Sequence, residues 1–252
     1  MTVRNEHLIR LLSFGVLLAS WSILSAVMAD PQVLPSPMVV VHKMAELWAS
    51  GDLQKHLIDT AIRVAWAFSL AMILGGVLGY LMGRNLQLNA WLDPWLIVFL
   101  NLPALVLIVL CYLWIGLNEI AAILAVTLNK LPMVMTLIRE GAKSASRELR
   151  DLAYVFKLST FARIRHIILP ELLPHIVAAA RAGLSVIWKI VLVVEFLGRG
   201  TGIGRQIHTQ FSIFNVTGVL AYALSFVAFI LLIEFLIMQP LERYAARWRH
   251  NA

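Results

Sequence analysis

Long apolar runs recur along the whole chain, and they constrain its fold more than any other feature. One of them extends from Leu11 to Ala29. About 18 apolar residues are enough to cross a bilayer as a helix. Hydrophobic residues make up 60% of the chain and charged residues 14%, whereas soluble domains carry about 25% charged residues. We therefore predict a single all-α integral membrane domain over residues 1–252.

We expect about six transmembrane helices in this domain. The predicted spans cover residues 8–29, 57–83, 94–115, 120–138, 176–197 and 216–238. A cleaved signal peptide ending at Ala29 is the alternative to the first span. Because the apolar part of such peptides is only about 7–15 residues long, we favour a retained helix. Pro103 lies inside the third span, where it frees a backbone carbonyl and predicts a bend.

The second span carries a glycine every four residues, at Gly75, Gly79 and Gly83. Glycine at this spacing removes side chains from one stripe of the helix and lets another helix approach closely. The alternative is that glycine is simply common in membrane helices. We favour close helix packing. In the same span, Asp59 and Arg63 are one turn apart, a spacing at which opposite charges can pair.

The distribution of basic residues predicts the orientation of the chain. The net charge is +7 and the sequence pI is about 9.9. With six spans and the N-terminus inside, cytoplasmic segments hold 13 Lys and Arg residues and external segments hold 4. Cytoplasmic loops of membrane proteins carry such an excess. This predicts cytoplasmic N- and C-termini and a cytoplasmic loop at 139–175, and it explains the basic charge without a nucleic-acid partner.

The sequence shows no catalytic constellation. The glycine-rich segment 198–204 lacks the Gly-Lys-Ser/Thr ending of a phosphate-binding loop, and we expect a flexible turn there. His166, His175 and His208 lie on different segments without metal-ligand spacing. We therefore expect no enzyme, no metal site and no cofactor bound by this chain. Any energy for transport then comes from an ion gradient or from another subunit.

Two ionisable residues lie inside the fifth predicted span, Lys189 near its middle and Glu195 near its end. Such residues are costly in a membrane and usually face a cavity or a partner. Both are therefore candidate pathway residues, and Lys189 would attract an anion such as a sulfonate. The alternative is that Lys189 pairs with a carboxylate or with carbonyl groups in a structural role. Glu195 is six residues away and on another helical face, so it is a poor partner.

A basic, amphipathic segment at 148–174 separates the fourth and fifth spans. The order D-x-A-x-x-x-K-x9-I-x-L-P is formed there by Asp151, Ala153, Lys157, Ile167, Leu169 and Pro170. This order resembles the EAA loop of ABC importer permeases, E-A-A-x-x-x-G-x9-I-x-L-P. The spacing matches throughout, but Asp151 replaces Glu, Leu152 replaces the first Ala and Lys157 replaces Gly. That glycine normally allows the turn between two short helices.

Other segments extend the resemblance over nearly the whole chain. HLIDTAIRVAWAFSLAMILGGVLGYLMG looks like the second-span signature of the nitrate, sulfonate and taurine-type permeases, with Arg63 and the glycine stripe in place. LWIGLNEI resembles the turn between the third and fourth spans of that family, and LPSPMVVV resembles the segment after its first span. WKIVLVVEFLGRGTGIGRQI resembles its fifth span and the external segment that follows, including Glu195.

The resemblance implies the fold of a type I ABC importer permease of the bacterial inner membrane. It implies a second permease copy, identical or paralogous, and a dimer of ABC ATPases that binds ATP and Mg. It also implies a periplasmic binding protein that delivers a small solute of sulfonate, taurine or nitrate type. The implied contacts with the ATPase are Leu149, Asp151, Leu152, Ala153, Phe156, Lys157, Ile167, Leu169 and Pro170.

Two alternatives stand beside these implications. The basic segment at 148–174 also suits an interfacial helix lying on anionic membrane lipid. The whole chain could instead be a stand-alone channel or an ion-gradient-driven carrier, which would need intramembrane acidic residues or an inverted repeat. Glu195 and Glu234 are the acidic candidates, and the two halves of the sequence show no evident repeat.

Overall fold

The computed structural model describes residues 3–144, 146 and 155–240. The regular secondary structure of these residues is entirely helical. The helices are α1 (Val3–Met28), α2 (Pro37–Ala49), α3 (Asp52–Arg84), α4 (Leu86–Asn101), α5 (Ala104–Ile115), α6 (Glu119–Ser144), α7 (Thr160–Arg163), α8 (Leu169–Gly198), α9 (Ile203–Ser212) and α10 (Val216–Ile233). Two π-helical turns, Ile164–Ile168 and Glu234–Met238, join α7 to α8 and extend α10.

Four helical segments of the described chain are long and apolar enough to cross a membrane: Asp52–Arg84, Glu119–Ser144, Thr160–Gly198 and Val216–Leu236. The second, fourth, fifth and sixth predicted spans overlap these segments. The apolar part of α1, Leu12–Met28, is a shorter helix. Helix α6 extends to Ser144, and α7 and the start of α8 also lie within 139–175, so the described parts of the predicted loop are largely helical.

The third predicted span, residues 94–115, is divided between two helices. The axes of α4 and α5 are bent by 100° at a break around Leu102 and Pro103. Proline has no backbone N–H, and its ring disfavours helical backbone at the preceding residue. Leu102 accordingly has φ −70° and ψ 123°, which is extended. The bend predicted at Pro103 is confirmed, but its size makes the segment two helices rather than one kinked span.

Both π-helical turns end two residues before a proline. Ile164–Ile168 precedes Pro170, and Glu234–Met238 precedes Pro240. A proline ring clashes with the carbonyl group four residues earlier and offers that group no N–H. In the first turn, the N–H of Leu169 instead bonds to the carbonyl five residues back. The wider turn lets the helix continue past the proline without a break.

Helices α3 and α6 share the most extensive helix contact of the described chain. A Cβ atom added at Gly79 would lie 2.5 Å from the carbonyl oxygen of Met135, and one at Gly75 would lie 2.8 Å from Cβ of Val134. One added at Gly83 would lie 2.6 Å from an alanine side chain of α6. The glycine stripe therefore lies directly against the backbone and short side chains of α6.

We expect Gly79→Ala to destabilise the protein, because the added methyl group must displace the backbone of α6. Overpacking of this kind costs about 1–3 kcal/mol. Gly76→Ala on the same helix is the matched control, since a Cβ there meets nothing within 4 Å. Helix propensity alone favours alanine at both positions. Thermal unfolding in detergent measures both variants, and equal midpoints would contradict the close contact.

Candidate functional site

Charged side chains gather at the end of the bundle where α3 and α6 begin and α8 ends. This set is called the Arg63 cluster, and its members are Thr60, Arg63, Glu119, Glu195, Arg199 and Thr201. They come from three long helices and from the segment before α9. The cluster therefore joins elements that are far apart in the sequence.

Arg63 is the centre of this cluster. Its Nε and Nη2 atoms donate to the two carboxylate oxygens of Glu119, both at 2.8 Å. Its Nη1 atom donates to Glu195 at 2.6 Å and to the carbonyl oxygen of Thr201 at 2.8 Å. Arg199 also pairs with Glu119, so two arginines balance two carboxylates. A planar guanidinium held by bidentate bonds has one orientation, which makes the cluster rigid.

Glu195 is fully enclosed, with 0% of its side chain exposed. One carboxylate oxygen accepts from Arg63, and the other accepts from the Thr60 hydroxyl at 3.0 Å and the Gly204 N–H at 2.9 Å. We proposed Glu195 as a pathway residue on sequence grounds. In this structure it has no surface with which to touch a solute, because the cluster uses both of its oxygens. Here Glu195 fastens α8 to α3 and to the start of α9.

The glycine-rich segment 198–204 is held along its second half. The N–H of Gly202 donates to Nδ1 of His56 at 3.1 Å, and the N–H of Ile203 donates to the Thr60 hydroxyl at 2.9 Å. Gly202 has a φ of +107°, and a Cβ there would meet a carboxylate of the Arg63 cluster. Glycine is needed for both reasons. The segment predicted to be a flexible turn is therefore a backbone strap across buried polar groups.

The loop that resembles the EAA loop lies partly within the described residues. Four of its predicted contacts lie outside them, namely Leu149, Asp151, Leu152 and Ala153. Phe156 is 68% exposed and Leu169 is 51% exposed, and Pro170 is exposed beside it. Ile167 is buried, 7% exposed, and anchors the π-helical turn to the bundle. Phe156 thus presents an apolar surface to the solvent or to a partner.

Lys157 occupies the position that the resemblance assigns to glycine. Its φ is +46°, in the left-handed region that residues with a Cβ rarely adopt. The backbone turn is thus formed without the glycine, at a strain of about 1–2 kcal/mol. Lysine also places a positive charge on this turn.

Lys189 lies on an exposed face of α8, called the α8 face. The residues of this face are spaced three or four apart along the helix and are all exposed: Ala178, Arg181, Ser185, Lys189 and Val193. Arg181 contacts Glu234 at 3.6 Å. The three polar members lie in consecutive turns through the middle of an otherwise apolar helix. Such a polar face on a membrane span is typical of a surface that meets water or another protein.

Lys130 in α6 was overlooked by the sequence analysis. It is 7% exposed, and within the described part of the chain it forms no ion pair or hydrogen bond. The signal was present, since a lysine inside a predicted span is costly unless it has a partner or a cavity. One lysine barely changes the mean hydropathy of the helix, so hydropathy alone does not distinguish it.

The arrangement of these helices is the fold of an ABC importer permease. It is similar to a chain of the solved structure "Inward facing conformations of the MetNI methionine ABC transporter", in its CY5 native crystal form, with a TM-score of 0.58 and 18% identity. The match covers 77% of this chain and 96% of that one. A second crystal form of MetNI gives a TM-score of 0.53 over 75% of this chain. At this identity the likeness shows the fold alone.

The sequence supplies the family. A family model described as "Binding-protein-dependent transport system inner membrane component" matches residues 71–239. The chain is 32% identical to SsuC of Escherichia coli (strain K12), named as an aliphatic sulfonates transport permease protein, over 92% of this chain and 88% of SsuC. It is 25% identical to the taurine transport system permease protein TauC of the same strain, over 90% of this chain and 84% of TauC.

The chain therefore belongs to the family of binding-protein-dependent transport system inner membrane components. It is a permease, the membrane-embedded transport subunit of an ABC importer. The resemblance drawn from the sequence motifs is confirmed at this level, as is the all-helical permease fold.

We expect Arg63→Met to destabilise the permease strongly, because it leaves the enclosed carboxylate of Glu195 without a cation. Breaking a buried pair from one side costs about 3–5 kcal/mol. The double variant Arg63→Met with Glu195→Met is the control, since it leaves Arg199 and Glu119 paired and the cluster neutral. We expect it to recover much of the loss in thermal unfolding experiments. A double variant as unstable as the sum of both single variants would contradict the proposed charge balance.

Proposed function

We propose that two such permease chains, identical or paralogous, form the membrane pathway of an ATP-driven importer for a small organic anion of the sulfonate or taurine type. A periplasmic binding protein delivers the solute, and a separate ATPase dimer binds ATP and Mg and docks on segment 148–174. The chain itself binds no cofactor. Both termini lie on the cytoplasmic side, and the Arg63 cluster lies at the external end.

The exposed cationic α8 face is the observation that carries this proposal. In a single chain, Arg181, Ser185 and Lys189 are exposed along the middle of a membrane span. Lipid is a poor environment for such side chains, so they favour a water-filled pathway or the interface with a second permease chain. A positively charged pathway suits an anion. The names of SsuC and TauC, which refer to aliphatic sulfonates and taurine, agree with that charge.

The charge distribution supports the proposed orientation and the docking of an ATPase. The basic residues Arg84, Arg139, Lys143, Arg163 and Arg165 lie at the end of the bundle opposite the Arg63 cluster. An excess of positive charge marks the cytoplasmic side. At the same end, Phe156 offers apolar surface beside the basic segment. Apolar contact with a charged rim is the usual composition of a protein interface.

A pull-down from native membranes in mild detergent tests the coupling to an ATPase. We expect a P-loop ATPase to co-purify with the permease and to be lost from the variant Asp151→Arg with Phe156→Glu. Phe214→Glu is the matched control, since Phe214 is 83% exposed at the opposite end of the bundle. If no ATPase co-purifies under conditions in which a control transporter stays assembled, the result would favour a stand-alone channel or a gradient-driven carrier.

A transport assay tests the charge of the pathway. We expect Lys189→Met to lower ATP-dependent uptake of ethanesulfonate about tenfold or more, because hydrogen bonds to a charged group are worth about 1.5–3 kcal/mol. Lys189→Arg keeps the charge and is expected to keep most of the uptake. Unchanged uptake by Lys189→Met would remove this residue from the pathway and leave it a structural role.

A further inference from the structure

Lys130 lies near the middle of α6, 7% exposed, and has no ion pair or hydrogen bond with any residue that the structure describes. It lies eleven residues after Glu119, the first residue of α6. At 1.5 Å per residue this is about 16 Å along the helix, close to mid-membrane. The fully enclosed polar atoms that lack a partner among the described residues belong to other side chains, so the Lys130 amine still reaches the surface. Most of the side chain is buried, and the amine is not fully enclosed.

The surface that this tip reaches is polar. One face of α6 is only partly covered in the single chain and carries Asn129, Met133, Thr136 and Glu140. The other sides of α6 pack against α3, α4, α5 and α8. Lys130 borders the partly covered face, since Met133 is turned only about 60° from it at 100° per residue. A charged amine therefore emerges beside a mostly polar face.

The same face continues onto α8. Gly141 of α6 lies against the ring of His175 in α8, because a Cβ there would be 2.5 Å from that ring. Lys130 lies eleven residues before Gly141 in α6. Val186 lies eleven residues after His175 in α8. The helices run antiparallel, so Lys130 and Val186 are at the same depth on facing sides. Lys189 lies within one turn of that level.

The rotation of the two helices brings Met133 of α6 and Lys189 of α8 to one side of the pair, and Lys130 borders that side. Lys189 is turned about 60° from Val186, just as Met133 is turned about 60° from Lys130. Because the helices are antiparallel, these two rotations lead to the same side. The partly covered face of α6 and the α8 face therefore form one surface, with a lysine on each helix at mid-depth.

The glutamates of α6, of α8 and of the π-helical turn after α10 are already engaged. Glu119 and Glu195 belong to the Arg63 cluster, Glu140 pairs with Arg139 and Lys143, Glu171 accepts from the Ser146 N–H, and Glu234 contacts Arg181. Neither Lys130 nor Lys189 has an ion pair or hydrogen bond with any described residue. Two positive charges thus remain unbalanced at the same depth of the membrane.

We propose that Lys130 and Lys189 together form an anion-binding step on this shared surface, halfway along the transport pathway. The ligand is the oxyanion head of a small organic acid, held between an amine from α6 and an amine from α8. A site in a transport pathway must release its solute as well as bind it. Two separate amines suit this requirement, because they hold an anion without fully enclosing it. This inference rests on the proposed function, and it adds Lys130 as a residue that selects for charge.

Uptake by the complete transporter, reconstituted with its ATPase and binding protein, tests the step. We expect Lys130→Met to lower ATP-dependent ethanesulfonate uptake per assembled complex about tenfold or more, as for loss of a hydrogen bond to a charged group. Lys130→Arg is expected to retain most of the uptake. Lys55→Met, at an exposed lysine near the start of α3, is the control and is expected to transport normally.

Two outcomes would overturn the inference. Normal uptake by Lys130→Met would show that the anion does not use this amine. Loss of assembly in both Lys130→Met and Lys130→Arg would show that Lys130 is structural. An inactive wild-type complex is a different result, because it overturns the proposed function itself.

A second measurement decides whether Lys130 faces water without relying on uptake. In a Cys111→Ala background, Lys130→Cys is treated with an anionic and a cationic methanethiosulfonate reagent. A positively charged pathway raises the local concentration of anions by about tenfold or more, so the anionic reagent is expected to react faster by that factor. Leu113→Cys, 73% exposed on α5, is the lipid-facing control and is expected to stay unmodified. Equal rates for both reagents, or no reaction, would contradict the inference.

Discussion

The arrangement of the bundle depends on the neutralisation of Arg63. A buried cation in a membrane is stable only where carboxylates and acceptors surround it, and leaving it unpaired costs several kcal/mol. Its partners come from α6, α8 and the segment before α9. Satisfying one side chain therefore fixes the start of α6, the end of α8 and the strap before α9 against α3. Arg199 and Glu119 complete a set whose charges cancel, so the Arg63 cluster is rigid and has no net charge.

The glycine contact extends this rigidity along α3 and α6, whereas α8 has a different role. Its inner side packs on α6, and its outer side carries the exposed α8 face. Through the π-helical turn, α8 also continues into α7, so that Thr160–Gly198 is one helical segment of 39 residues. The helix that presents Lys189 is thus connected, without a break, to the segment that resembles a coupling loop. Movement of that segment has a direct mechanical connection to the α8 face, the proposed pathway surface.

Hydropathy predicted the long apolar helices, and glycine spacing predicted a close helix contact along α3, because both signals are local. That α6 is the partner is seen only in the structure. The partners of Arg63 could not be predicted in this way. Glu119 and Glu195 are 56 and 132 residues away, whereas the spacing considered in the sequence was that of Asp59, one turn away on the same helix. No ion pair between Arg63 and Asp59 is found among the described residues, because the guanidinium is fully used by the two distant carboxylates. Only the fold shows which charges meet.

The sequence also marked Lys157 as a departure from the glycine of the resembling motif, and the structure separates two effects of that change. The backbone still adopts the left-handed turn, with φ +46°, so the geometry of the turn does not require glycine. What changes is the free energy of the turn, because a residue with a Cβ atom is strained by about 1–2 kcal/mol in the left-handed conformation. Packing elsewhere must offset that strain, and on the C-terminal side of the turn Ile167 is buried in the bundle, 7% exposed. The turn is therefore maintained by its surroundings. Lysine adds a positive charge to the segment that resembles the EAA loop, at a position where glycine would add none.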